Sequence, residues 1–210
     1  MTIDILIFDL DGTISDPKQG IVRSMNHALA AHGYQTRSED EIASYIGPPL
    51  DKIFMELVGS KQPSLILDLV ATFRQRYAEV GYSENRLYAG MRETLDTLKS
   101  EGKYRLGVCT SKRVDFASKI LVLFDLLDHF DFVDGGDVGI EKWQQLEALK
   151  EQGVITDQSL MIGDRYVDLT AAHKNGLKSA GVLWGYGSQV ELEAHSPAYL
   201  FSKPKNLAQL

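Results

Sequence analysis

The chain has 210 residues, 44% of them hydrophobic and 24% charged, with a formal net charge of -7. That composition predicts a globular protein with a sizeable core and excludes a disordered chain. A nucleic-acid surface is excluded as well, because no Lys/Arg stripe is present and the excess charge has the wrong sign.

The first residues combine neither a basic segment nor a long apolar one, so no secretory signal is expected. No apolar run is long enough to span a bilayer. The single cysteine, Cys109, cannot form an internal disulfide and suits a reducing compartment, so a cytoplasmic location is expected.

Residues 3–8 form a short, nearly continuous apolar run, as in a strand covered on both faces of a parallel sheet. Directly after it comes Asp9-Leu10-Asp11-Gly12-Thr13. The next stretch, 15–86, reads as wholly helical. Ser15 is expected to cap a first helix whose opening turn takes Pro17, and Gly33 to close it. Ser38 with Glu41 gives a capping-box pattern, Gly47-Pro48-Pro49 a stiff turn, and 65–80 a long apolar stripe ending before Gly81.

Beyond residue 87, amphipathic stretches at 91–100, 114–124, 142–151 and 167–174 alternate with apolar runs at 106–109, 130–133, 160–162 and 179–183. Strand alternating with helix predicts a doubly wound, Rossmann-like α/β fold with a mostly parallel sheet. The expected division is a core domain of residues 1–14 and 87–210, interrupted after its first strand by a helical domain of residues 15–86. Residues 15–16 and 85–87 would form a two-stranded hinge for it.

The acidic residues carry the chemistry. Carboxylates at the carboxyl end of a central strand point into the crevice where open α/β sheets bind ligands. The spacing of Asp9 and Asp11 lets both face one pocket, with Gly12 permitting the sharp turn. Asp164 follows a later strand in the same way, and Asp168 falls in the first turn of the helix after it. Converging carboxylates repel one another unless a cation joins them, and an all-oxygen ligand set favours Mg²⁺. Scattered histidines and a lone cysteine speak against zinc.

With these residues in place, the sequence resembles the haloacid dehalogenase-like phosphohydrolases over nearly its whole length. Asp9-Leu10-Asp11-Gly12-Thr13 is similar to that family's motif I, in which the first Asp attacks phosphorus and the second is general acid and base. Gly107-Val108-Cys109-Thr110-Ser111-Lys112 resembles motif II, which implies phosphate contacts from Thr110 and Ser111. Lys142 is the candidate for the motif III lysine, with Lys112 as the alternative. The surrounding Ile140-Glu141-Lys142-Trp143 departs from the Gly-Lys-Pro of many relatives. Gly163-Asp164 with Asp168 resembles motif IV. The resemblance therefore implies a magnesium site of Asp9, Asp11, Asp164 and Asp168.

The helical insert matches the position of the family's C1 cap. Ile46-Gly47-Pro48-Pro49-Leu50 and Trp184-Gly185-Tyr186-Gly187 resemble the phosphoglycolate phosphatase-like branch. The latter segment reads equally as a glycine-rich turn with packed aromatics. Gly47, Arg23 and Lys52 are candidates to touch the leaving group, although Arg23 and Lys52 read equally as surface charges on amphipathic helices.

The expected activity is Mg²⁺-dependent hydrolysis of small phosphate monoesters, phosphoglycolate-like, through an aspartyl phosphate on Asp9. The partner is a small phosphorylated metabolite rather than nucleic acid or membrane, and the chain is a monomer or homodimer. Alternatives are a nucleoside 5'-monophosphatase or pyrophosphatase, then a phosphosugar mutase or a phospho-accepting signalling domain. A signalling domain would not need the helical insert. A catalytically retired scaffold would not need all four motifs.

Overall fold

A computed structural model describes residues 2–210; Met1, with which the expected core domain begins, lies outside them. Strand β1 (Ile5–Phe8) is buried along its whole length. Its alternate residues serve two different cores, because successive side chains leave a strand on opposite faces. Leu6 and Phe8 join Leu95, Leu98, Ala117 and Ile120 on one side of the sheet, whereas Ile5 and Ile7 join Leu146, Leu149, Ala171 and Ala172 on the other. The continuous apolar run is thus a strand sandwiched between two helical layers.

After β1 the chain makes β2 (Ser15–Asp16), α1 (Lys18–Ala31), α2 (Glu39–Ser44), α3 (Leu50–Val58), α4 (Pro63–Glu79) and β3 (Arg86–Leu87). It then alternates through α5 (Met91–Glu101), β4 (Arg105–Thr110), α6 (Val114–Leu123), β5 (Phe132–Gly135), α7 (Lys142–Glu151), β6 (Ser159–Gly163) and α8 (Tyr166–Lys174). Strand β7 (Lys178–Val182), α9 (Gln189–Ala194) and β8 (Tyr199–Phe201) complete the fold. The six-stranded sheet runs β5-β4-β1-β6-β7-β8, and every pairing in it is parallel. The chain winds outward from β1 through β4 and β5, then crosses to β6 on the other side. That reversal opens a crevice at the carboxyl ends of β1, β4 and β6.

The four helices after β2 have an apolar core of their own, built around Met25, Leu29, Ile42, Phe54, Leu69 and Phe73, and Phe116 of α6 reaches it from below. At the base of this insert β2 and β3 pair antiparallel, Ser15 with Leu87 and Asp16 with Arg86. Ser38 caps α2 by accepting from the Glu41 N–H at 3.2 Å.

The expectation for Ser15 fails. It lies in β2, three residues before α1 begins, and Asp16 Oδ1 instead accepts from the Lys18 N–H at 3.0 Å. Pairing with Leu87 holds Ser15 in extended backbone, beyond reach of the helix start. No helix among the described residues is long and apolar enough to cross a membrane.

Candidate active site

Asp9 leaves β1 with its N–H bonded to the Ile162 carbonyl of β6 at 2.9 Å, while its own Oδ1 accepts from the Leu10 N–H at 2.8 Å. The chain then doubles back, and the Leu10 carbonyl takes the N–H groups of Ile14 and Ser15 at 2.9 and 3.1 Å. Gly12 sits in this turn at φ +84°, and a Cβ there would strike the Asp164 carboxylate. Glycine is required twice, by the backbone angle and by the approach of Asp164.

Asp164 follows β6 and is fully buried. Its Oδ2 accepts the Tyr186 N–H at 2.7 Å, and Thr13 Oγ1 donates to its Oδ1 at 3.4 Å. Asp168, in the first turn of α8, accepts the Arg165 N–H at 3.0 Å. Carboxylate oxygens of Asp9, Asp164 and Asp168 lie within 4.8 Å of one another. Lys142, at the first position of α7, puts its ammonium 3.0 Å from Asp9 Oδ1 and in contact with Asp168 Oδ1. Motif elements from three loops, up to 159 residues apart, thus meet at one point.

Thr110 ends β4, 1% exposed, with its carbonyl held by the Gly136 N–H at 2.8 Å and Gln145 Nε2 at 3.1 Å. Gln145 also donates to Asp134 at 2.6 Å, so α7 fixes the end of β4 as well as presenting Lys142. Lys112 Nζ lies 2.8 Å from Asp11 Oδ2 and donates to the Tyr77 hydroxyl of α4 at 2.9 Å, 4.5 Å from the centre of its ring. The two candidate lysines therefore have different partners: Lys142 stands among Asp9 and Asp168, Lys112 between Asp11 and the insert.

Above these groups is a cavity of about 60 Å³. Asp9, Asp11, Thr110, Ser111 and Lys112 line its floor, and Gly47, Pro48 and apolar residues of the insert line its roof. Gly47, at φ +129°, has the Arg165 side chain against it, and the Arg165 guanidinium donates to the Ile46 carbonyl. Two leaving-group candidates lie elsewhere. Arg23 is half-exposed, pairs with Glu84 at 2.5 Å and lines a separate surface depression. Lys52 pairs with Glu141 at 2.5 Å beside a second cavity, between Pro49 and Trp143.

Burial, with Asp168 and Asp9 adding to it, pushes Asp164 well above the usual carboxylate range. Burial also lifts Asp168, to about 6, against the pull of Lys142. Asp11 is raised, again by burial, with Lys112 opposing. Burial disfavours the ammonium of Lys142, yet Asp168 and Asp9 outweigh it and keep its pKa above the ordinary lysine value. Three carboxylates facing one ammonium leave a surplus of negative charge in a water-poor pocket, the condition that a cation relieves. The donors are hard oxygens within bridging distance, so the residues present fit a divalent cation.

Several participants escaped the sequence reading. Tyr77 looked like one more residue of an apolar stripe, and Arg165 and Gln145 carried no motif. The Trp184-Gly185-Tyr186-Gly187 segment braces the acidic loop rather than merely turning. Trp184 Nε1 donates to the Thr13 carbonyl at 2.9 Å, the Tyr186 hydroxyl bonds Asp16, and a Cβ on Gly185 would overlap Asp164. Cys109 is fully buried, and burial raises its thiol far above the reactive range.

The family model described as haloacid dehalogenase-like hydrolase matches residues 6–182. A 5'-nucleotidase of Pseudomonas aeruginosa is 36% identical, over 92% of this chain and 89% of that one. A phosphoglycolate phosphatase of Aquifex aeolicus is 30% identical, over 98% and 95% of the two chains. The crystal structure of a predicted phosphatase from Clostridium acetobutylicum superposes with a TM-score of 0.93 at 30% identity, covering 100% of this chain and 98% of that one.

Proposed function

Because the chain belongs to the haloacid dehalogenase-like hydrolase family, as one of its phosphatases, we propose that it hydrolyses small phosphate monoesters by way of Asp9. One observation carries this reading: Asp9, Asp11 and Thr110 floor one cavity, and Lys142 and two further carboxylates close on Asp9 from behind.

In the first step a carboxylate oxygen of Asp9 attacks phosphorus, the bond to the leaving oxygen breaks, and Asp11 gives that oxygen its proton. The raised pKa of Asp11 suits the acid role. In the second step water attacks phosphorus of the aspartyl phosphate. Asp11 takes the proton back, and orthophosphate leaves Asp9 free. Lys142 neutralises negative charge beside the nucleophile, and the Thr110 hydroxyl is assigned to a phosphoryl oxygen, with Ser111 beside it. The Leu10 N–H and Lys142 hold the Asp9 carboxylate in one orientation, so little reorganisation is needed at attack.

The cation assigned to the site is Mg²⁺, which Asp9, Asp164 and the Asp11 backbone carbonyl would hold and Asp168 would steady. When bound it supplies Lewis-acid neutralisation of the phosphoryl oxygens. Residues 15–86 are assigned as a lid moving on the β2–β3 pair, with residues 1–14 and 87–210 as the catalytic domain. A two-residue antiparallel pair is a short connection able to absorb such a motion. The enzyme is placed in the cytoplasm, acting as a monomer or homodimer on a free metabolite rather than on nucleic acid or membrane.

The names of its relatives set the substrates to try first, phosphoglycolate and nucleoside 5'-monophosphates. Phosphate release from these, from pyrophosphate and from an activated aryl phosphate tests the reading. Turnover of one or more of them, dependent on added Mg²⁺, is expected. Failure of all of them with Mg²⁺ present would refute it.

A further inference from the structure

The roof of the cavity is apolar. Ile21, Met25, Ile46, Ile53 and Phe73 descend from the insert, and Phe116 completes the wall from the core. The aromatic rings pack as a unit: Phe73 stacks on Tyr77 at 5.3 Å, and Tyr77 meets Phe116 edge-on at 5.3 Å. Such a wall offers dispersion contacts and few groups that hydrogen-bond.

Three cations also line the cavity, and each is already matched. Lys112 lies 2.8 Å from Asp11, Arg74 pairs with Asp137 at 2.5 Å, and Arg113 pairs with Asp115 at 2.9 Å. Lys142, behind the floor, is shared between Asp9 and Asp168. Among the described residues every cation that lines the cavity faces a carboxylate, so a second anionic group would have to compete with that carboxylate for it. A carboxylate or second phosphate on the leaving group would lie against hydrocarbon, or would have to draw a cation away from its carboxylate.

We infer that this site selects phosphate monoesters whose leaving group is uncharged and has an apolar body, such as a nucleoside or an aryl or alkyl alcohol. Substrates whose leaving group carries a second anion, such as phosphoglycolate and pyrophosphate, are selected against. The inference rests on the phosphatase reading and sharpens it: the floor takes the phosphoryl group, and the roof chooses what is attached to it. Leu50, half-buried at the first turn of α3 and lining the cavity, is a position from which that choice can be changed.

The experiment compares kcat/KM for phosphoglycolate, pyrophosphate, a nucleoside 5'-monophosphate, a short alkyl phosphate and an activated aryl phosphate, all with Mg²⁺. The wild type is expected to favour the better of the nucleotide and the alkyl phosphate over phosphoglycolate and pyrophosphate, the two with a second anionic group, by about tenfold or more. Which of those two is better identifies the source of the apolar body. Leu50→Arg, which adds an unmatched cation, is expected to narrow that ratio while still turning over the aryl phosphate.

Phosphoglycolate or pyrophosphate equalling the uncharged class, with the aryl phosphate consumed, would overturn the inference and leave the phosphatase reading standing. An unchanged ratio in an active, folded Leu50→Arg would overturn the assignment of selectivity to the roof. No turnover of the aryl phosphate or of any other substrate would remove the phosphatase reading, and this inference with it.

Discussion

At position 142 a single ammonium group balances two buried carboxylates, and this pairing sets the electrostatics of the cleft. Removing one partner of a buried pair costs more than the pair contributes, because the remaining charges stay desolvated. Lys142→Met is therefore expected to lower stability by about 3–5 kcal/mol in urea unfolding. Phosphate release should fall by about a hundredfold or more, since a preorganised cation beside Asp9 is lost. A variant with wild-type stability and turnover would show that Lys142 is a bystander.

The acids at 9, 11, 164 and 168 were legible in the sequence because their spacing is short and each pair follows an apolar run. Lys142 was legible only through resemblance. Tyr77 and Arg165 were not legible at all. Their partners Lys112 and Ile46 lie 35 and 119 residues away, and no local pattern announces a contact closed by the fold.

Among the elements, the junction between α1, α4 and β3 gathers around Glu84, which pairs with Arg23 at 2.5 Å and Arg76 at 3.0 Å. Burial alone would raise this carboxyl, but Arg76 and Arg23 outweigh it and hold its pKa below the ordinary glutamate value. A carboxyl depressed on folding contributes stability that is complete above its unfolded pKa and lost as pH falls through the folded one. Across that interval the unfolded chain binds more protons than the folded chain. Glu84→Gln should therefore lower the thermal midpoint at neutral pH. The gap from wild type should close as pH drops below the ordinary glutamate range, about pH 4. A gap independent of pH would mean that the carboxylate charge does not tie the junction.

The long helices and buried strands were readable because their apolar periods are strong. Strand β8 was missed: Tyr199-Leu200-Phe201 is a half-buried edge strand of three residues, too short to be told from a loop with packed side chains. Ser15 was misassigned because a serine before a helix has the same local signature whether it caps the helix or pairs in a strand. The partner Leu87, far along the chain, decided the matter.

At the scale of the whole molecule, the sheet gathers acidic loops at the carboxyl ends of its central strands, and the helical insert roofs them with hydrocarbon. Bringing Asp9, Asp164 and Asp168 within 4.8 Å costs folding energy through mutual repulsion, which a bound divalent cation relieves. Saturating Mg²⁺ should therefore raise the thermal midpoint of the wild type. The rise should shrink or vanish in Asp164→Asn, which removes one of the three charges. Equal shifts in both proteins would place cation binding elsewhere.

The doubly wound, mostly parallel character of the sheet was legible from alternation alone. The character of the roof was not, because it is composed of residues from α1, α3, α4 and α6 that share no sequence neighbourhood.

The most direct test is phosphate release from an activated aryl phosphate by purified wild type and Asp9→Asn, each with Mg²⁺ and with EDTA. The account predicts turnover by the wild type with Mg²⁺ alone, and none by a folded Asp9→Asn under either condition. Sustained release by Asp9→Asn, or by the wild type with the cation stripped away, would contradict it.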